Sequence, residues 1–253
     1  MITRGQNIKQ DIGLVSSGNN MPRLIHSVQK ELQYSISNID DLRYDQNFDY
    51  KQSKYVHMSF PELSNIDIFN IVPKPPSNAG VTTKKEISYI STLTQNRTSE
   101  QIKLVYDVDE DANSVFNDFI DSNNLIFPDN KFATLYNLVV QELIDHLKYY
   151  YNRPRPFQIA EFYKIPIDII RTGSDGTPAY PSGHTMYAGL AAEILSEKYP
   201  EKRQSFRSLA KKCGHIRVLQ GVHYPSDNKA SLKIIQTIYP ILSKYYEKIQ
   251  NSI

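Results

Sequence analysis

The sequence predicts an all-α protein, a compact helical bundle of roughly six to nine helices. From Lys85 onward apolar residues recur at helical spacing in one segment after another, most clearly as Leu135, Leu138, Val139, Leu143 and Leu147. The one long stretch without that period, Phe157 to Tyr180, carries Gly173, Gly176 and Pro178 and no strong strand pattern. A length of 253 residues with 40% hydrophobic content suffices for a substantial core.

Residues 1–70 are rich in Asn, Gln, Ser, Asp and Tyr and read as a polar N-terminal extension, with one helix near Arg23 to Leu32. Val72-Pro73-Lys74-Pro75-Pro76 breaks any regular element, and a helical domain follows over 71–253. Its first helix covers Lys85 to Leu93. Thr98-Ser99-Glu100-Gln101 is a capping box that opens a second, through Ile102, Val105 and Tyr106. Asp111 to Ile120 puts Val115, Phe116 and Phe119 on one face. Lys131 to Tyr150 carries the leucine stripe and ends at Arg153-Pro154-Arg155-Pro156, because a residue before proline disfavours the α region. A helix from His184 to about Lys198 and another from about Glu201 to Leu219 precede Gly221, which stops the latter. Ser226 can cap a final helix, about Asp227 to Gln250, bent or broken near Pro240. There is no internal repeat and no low-complexity tract.

Lys and Arg number 29 against 27 Asp and Glu, a net charge of +2, which gives no ground for bulk binding to nucleic acid or a membrane surface. The single cysteine, Cys213, excludes an intrachain disulfide and reads as a buried small hydrophobe. The first ten residues have no apolar core of a signal peptide, and no window approaches a transmembrane span. The expectation is a soluble protein, cytoplasmic in the absence of a leader, with secretion and assembly into a homo-oligomer left open.

Chemistry concentrates in three groups of residues within 80 positions. Lys148 is followed after six residues by Arg155-Pro156; Pro181-Ser182-Gly183-His184 opens a helix; Arg217 is followed after five residues by His223, and His223 after three by Asp227. The tetrapeptide alone is a weak signal, since Ser-Gly before a helix is an ordinary N-cap. Yet a helix N-terminus offers unpaired N–H groups and positive potential to an anion, here with an imidazole beside it. Lys148, Arg155 and Arg217 add a point charge and two forked donors, Ser182 a hydroxyl, and Gly183 an N–H with no side chain in the way.

In order and spacing the three groups resemble the motif of the type 2 phosphatidic acid phosphatase superfamily, which also holds vanadate-dependent haloperoxidases and soluble bacterial class A acid phosphatases. The likeness covers about Val72 to Gln250 and is nearest the class A enzymes. It implies an acid phosphatase-like phosphoric monoester hydrolase that needs no metal and acts on a small-molecule phosphoester. His223 would be the nucleophile, forming a phosphohistidine; Asp227 would hold it, and His184 would protonate the leaving oxygen. Lys148, Arg155, Ser182, Gly183 and Arg217 would bind the phosphate, and vanadate would inhibit. The physics agrees: a histidine attacking through one nitrogen needs its other N–H held by an acceptor.

Ile216 departs from the family's usual Ser before Arg217, and the cysteine pair of some secreted relatives is missing. Arg153 is also an Arg-Pro, but its spacing from Lys148 does not match, which assigns it a surface or supporting role. His215 has no place in the motif, and His26, His57 and His146 read as structural or surface residues. Two alternatives share the same residues: a haloperoxidase with vanadate as cofactor in the same cage, and a non-catalytic phosphate-binding protein. Length weighs against the first, and the intact catalytic set against the second.

Overall fold

In the computed structural model, residues 38–60, 63, 66–128 and 130–251 are described; the helix expected near Arg23 to Leu32, and His26 with it, lies outside them. The helices are α1 (Ile68–Ile71), α2 (Val81–Gln95), α3 (Ser99–Glu110), α4 (Ser114–Ser122), α5, α6 (Pro156–Tyr163), α7 (Gly183–Lys198), α8 (Arg203–Leu219) and α9 (Pro225–Asn251). No strand occurs among the described residues, so the all-α class holds. None of the described helices is long and apolar enough to cross a membrane.

Local chemistry accounts for most boundaries. The Thr98 hydroxyl accepts the N–H of Gln101 while the Gln101 side chain accepts the N–H of Thr98, the expected capping box at the start of α3. Gly221 ends α8 with φ of 87°, a conformation costly for any residue with a Cβ. The helix α5 starts as Asn130–Leu135, passes through a π turn at Tyr136–Val140 and continues as Gln141–Tyr151. Across that wider turn Val139 is buried as expected and Val140 joins it, whereas Leu138, also expected on the stripe, is 61% exposed.

Two further elements differ from the sequence reading. The supposed loop after Phe157 begins as a helix, α6, because Pro156 at its first position is pre-set for helix and the Gln158 side chain accepts the Arg155 N–H at 2.8 Å. Ser226 is not a cap. The last helix starts two residues earlier, at Pro225, runs through Pro240 without a break, and the Ser226 N–H and hydroxyl both donate to Glu86 on α2, at 2.7 and 2.8 Å.

The centre of the bundle is α7, whose Ala188, Leu190, Ala191, Ala192 and Leu195 are almost wholly buried between α8 and α9. A helix apolar on nearly every side belongs in the interior, and small residues let its neighbours come close. Gly214 on α8 shows how close: a Cβ there would stand 3.0 Å from Asn228 on α9 and 3.1 Å from Thr185 on α7. Asn228 ties the three together, donating to the Gly214 carbonyl at 2.7 Å and accepting from the Thr185 hydroxyl at 2.9 Å. This lock lies directly behind His184.

The compact unit begins at Asn38. Leu42, Phe60, Leu63 and Ile68, all within the stretch read as an extension, are buried in the core. Asn78 donates to the carbonyls of Ile39 and Leu42, and the Tyr44 N–H donates to the Asn152 carbonyl, so the stretch that holds Ile39, Leu42 and Tyr44 is stitched to the helical body.

Candidate active site

The cationic side of the site depends on how α5 ends. Asn152 takes the left-handed conformation, φ 42°, which asparagine tolerates better than most residues. Its N–H closes on the Lys148 carbonyl at 2.8 Å and its side chain bonds both backbone groups of Asp45. The chain therefore turns inward, and Arg153 and Arg155, two residues apart in extended backbone before α6, are both buried.

Arg155 is wholly buried. Its guanidinium donates to the carbonyls of Thr177 and Val222 at 2.8 and 2.7 Å and to Nε2 of His223 at 3.0 Å. Burial lowers its pKa to about 10, so it keeps its charge. Lys148 is also buried and donates to the Pro178 carbonyl; burial, with Arg155 nearby, lowers its pKa well below the usual lysine value. Arg217 donates to Asp109 on α3 at 2.6 Å and to the Ser174 hydroxyl, whose residue also accepts Arg155 on its carbonyl. Burial acts to raise the Asp109 carboxyl, but Ser174 and Arg217 overrule it and hold it below the usual range. The Nε of Arg217 is buried without a hydrogen-bond partner, a donor left over beside the cage.

His223 is 2% exposed and held on both nitrogens. Since a guanidinium can only donate, Nε2 must accept from Arg155, and the proton must sit on Nδ1, facing Asp227 Oδ2 at 3.2 Å. Burial, then Arg155, Lys148, Arg217 and His184, push its pKa well below the usual histidine value. Asp227 in turn accepts the Tyr224 N–H at 3.0 Å and pairs with Arg153. Burial raises its pKa and the Arg153 guanidinium opposes this.

His184, at the second position of α7, is half-buried and has one contact, Nε2 to the Asp109 carbonyl at 3.4 Å. Its pKa is lowered to about 3, by burial first and Arg217 second, which together override the opposing pull of Asp109. The Ser182 hydroxyl is the N-cap of α7, shared between the N–H and hydroxyl of Thr185, and is fully buried. Gly183 lines the cavity, where a Cβ would meet Ile144 at an ordinary 3.8 Å.

Lys148, Arg155, Arg217, His184, His223 and Asp227 are thus brought together around an open cavity of about 410 Å³ that Lys148, Gly183, His184 and His223 line. Arg153 is not on the surface: 3% exposed, it pairs with Asp227, approaches Glu86 at 3.7 Å and lies 3.8 Å over the Tyr224 ring. Glu86, Asp109 and Ser174 carry no local sequence signal and are identified only by what they touch. His146 is bonded to Tyr50 and the Tyr55 carbonyl, whereas His57 and His215 are exposed. Ile216, at the departure from the family pattern, is buried. Cys213 is buried as expected, its thiol pushed up to about 12 by desolvation.

Such a cage of buried cations around a tautomer-fixed imidazole, carried on a helical bundle, has the chemistry to hold an oxyanion. Residues 131–247, which contain all three sequence groups, match the model of the PAP2 superfamily. The non-specific acid phosphatases of Salmonella typhi and Salmonella typhimurium are each 34% identical over 114 residues, 42% of this chain. The match spans 44% of the length of each of these relatives. Among solved structures, a transmembrane PAP2 type phosphatidylglycerolphosphate phosphatase from Bacillus subtilis has 16% identity and a TM-score of 0.40, covering 68% of this chain and 89% of its own.

Proposed function

We propose that the protein is a metal-independent phosphatase that hydrolyses phosphomonoesters through a phosphohistidine intermediate. The observation that carries this is the state of His223: neutral, with its Nδ1 proton held by Asp227 and its Nε2 lone pair turned to the guanidinium of Arg155. A bound phosphoryl group would exchange with that contact. Nε2 then bonds to phosphorus as the ester P–O bond breaks, and the departing oxygen takes a proton from His184. In the second half, water bonds to phosphorus, the P–N bond breaks, His184 recovers the proton, and inorganic phosphate leaves.

Lys148, Arg155 and Arg217 would stabilise the equatorial oxygens, with α7's first N–H groups beside them. The metal-free reading rests on these three buried cations, which would supply at fixed positions the charge that a metal ion otherwise brings. A bound phosphate would supply the negative charge that returns His184 to its protonated form.

The test is an assay of metal-free protein with alkyl and aryl phosphates, with and without chelator. Turnover that survives chelation, with competitive inhibition by vanadate, is expected. Loss of all activity on chelation, restored by Mg²⁺ or Zn²⁺, would overturn the metal-independent mechanism. Bromide oxidation by peroxide with added vanadate, in the absence of any phosphatase turnover, would replace the whole reading.

A further inference from the structure

The cavity reaches well past the phosphate cage, and its charge changes sign on the way out. At its floor are Lys148 and His223, 5% and 2% exposed, with the fully buried Arg155 and Arg217 behind them. Its exposed lining includes Glu110 and Asp111 at the end of α3, and the half-buried Asp145, on α5 one turn before Lys148 and close enough to act on it, lies between. Lys148 is the only Lys or Arg among the lining residues. Tyr136 and Tyr187 also line it, their rings 4.6 Å apart and edge-on. At about 410 Å³ the space lies within the range, roughly 300–1,000 Å³, that accepts a whole small molecule rather than a phosphoryl group alone.

Carboxylates at a lip would mean little alone. Here they share one cavity with the fixed Nε2 of His223, and beside its cage stands the Arg217 Nε, buried and unpartnered. We infer that this cavity selects phosphomonoesters whose leaving group carries a positive charge, a primary or quaternary ammonium a few bonds from the ester oxygen. The dianionic head would sit among Lys148, Arg155 and Arg217, and the ammonium among Glu110, Asp111 and Asp145 with the tyrosine faces beside it. A leaving group bearing a carboxylate or a second phosphate would meet like charge at the lip. This rests on the phosphatase reading for the word "leaving group", but the charge preference can be measured without any turnover.

Three non-hydrolysable probes of similar length make the comparison: 2-aminoethylphosphonate, propylphosphonate and 3-phosphonopropionate, titrated calorimetrically into the intact protein. The ammonium compound should bind tightest and the carboxylate compound weakest, about tenfold or more apart at low salt. In the Glu110→Gln/Asp111→Asn double variant the three should converge to within about threefold. Equal binding of all three by the wild-type protein, or tightest binding of the carboxylate probe, overturns the proposal. So does a double variant that keeps the full preference. Hydrolysis of phosphoethanolamine is assayed separately: absence of turnover with the binding order intact would count against the phosphatase reading and leave the charge selection standing.

Discussion

The two histidines of the site have opposite surroundings. His223 is buried, bonded on both ring nitrogens, and backed by a chain of partners through Asp227 and Arg153 to Glu86. His184 is half-buried and held by one 3.4 Å contact to a backbone carbonyl. A nucleophile must present one lone pair in one direction, and each extra partner removes an alternative tautomer or rotamer. An acid that follows a departing oxygen needs the reverse, a ring that can shift and a pKa that responds to what is bound. The density of support thus differs in the sense that the two proposed roles require.

The strongest way to break this comparison is to remove each ring. His223→Ala is expected to lose turnover by on the order of 10⁴-fold or more, together with the acid-labile phosphoenzyme, whatever the leaving group. His184→Ala should cost about 10²–10⁴-fold with alkyl esters but far less with an aryl ester, and still form phosphoenzyme. Rapid-quench trapping of labelled phosphate reads both. Label retained by His223→Ala would mean the roles are reversed.

Next in size is the support behind His223. Arg153→Met strips Asp227 of its ion pair in a fully buried place, with an expected stability loss of about 3–5 kcal/mol in urea unfolding and a fall in kcat of about 10–100-fold. Glu86→Gln should have the same direction and a smaller size, because Glu86 meets Arg153 only at 3.7 Å and keeps its bonds to Ser226. Unchanged stability in Arg153→Met would show that the chain of partners does not anchor the nucleophile.

Acid should expose both histidines together. Each is held neutral by burial, His184 down to about 3 and His223 well below its usual value, so below about 6.5 the unfolded chain binds protons that the folded chain refuses. Stability is therefore complete above that pH and falls as the pH drops, by up to about 1.4 kcal/mol per unit for each ring. Inorganic phosphate should offset part of the loss by stabilising protonated His184. Denaturation curves at pH 7, 6 and 5, with and without phosphate, would measure it, and a flat profile would contradict the burial of these rings. The smallest expected effect is the control: His215→Ala, exposed and outside the site, should change stability by less than about 0.5 kcal/mol and leave kcat within experimental error.

Much of this arrangement was legible before any coordinates. The order and spacing of Lys148, Arg155, His184, Arg217, His223 and Asp227 group them through resemblance to a family motif, and the fold brings the six together around one cavity. The capping box at Thr98, the stop at Gly221 and the long helices were equally plain, because caps, φ restrictions and apolar period are local properties. Where a local rule had two outcomes the reading went astray. Pro156 ends one helix and begins the next, and Ser226 has the chemistry of a cap but gives its N–H and hydroxyl to Glu86 instead.

What the sequence determined by itself was the all-α class, most helix bounds and the grouping of the candidate site residues, matters of period, capping and motif resemblance. Only the tertiary structure decided that Arg153 is buried against Asp227, that Glu86 and Asp109 brace the two ends of the cage, and that Leu42, Phe60, Leu63 and Ile68 belong to the core. These are pairings between residues about 70 to 140 positions apart. Nothing in the local run of the chain specifies such a partner; it is selected when folding removes water and each buried charge must find its opposite.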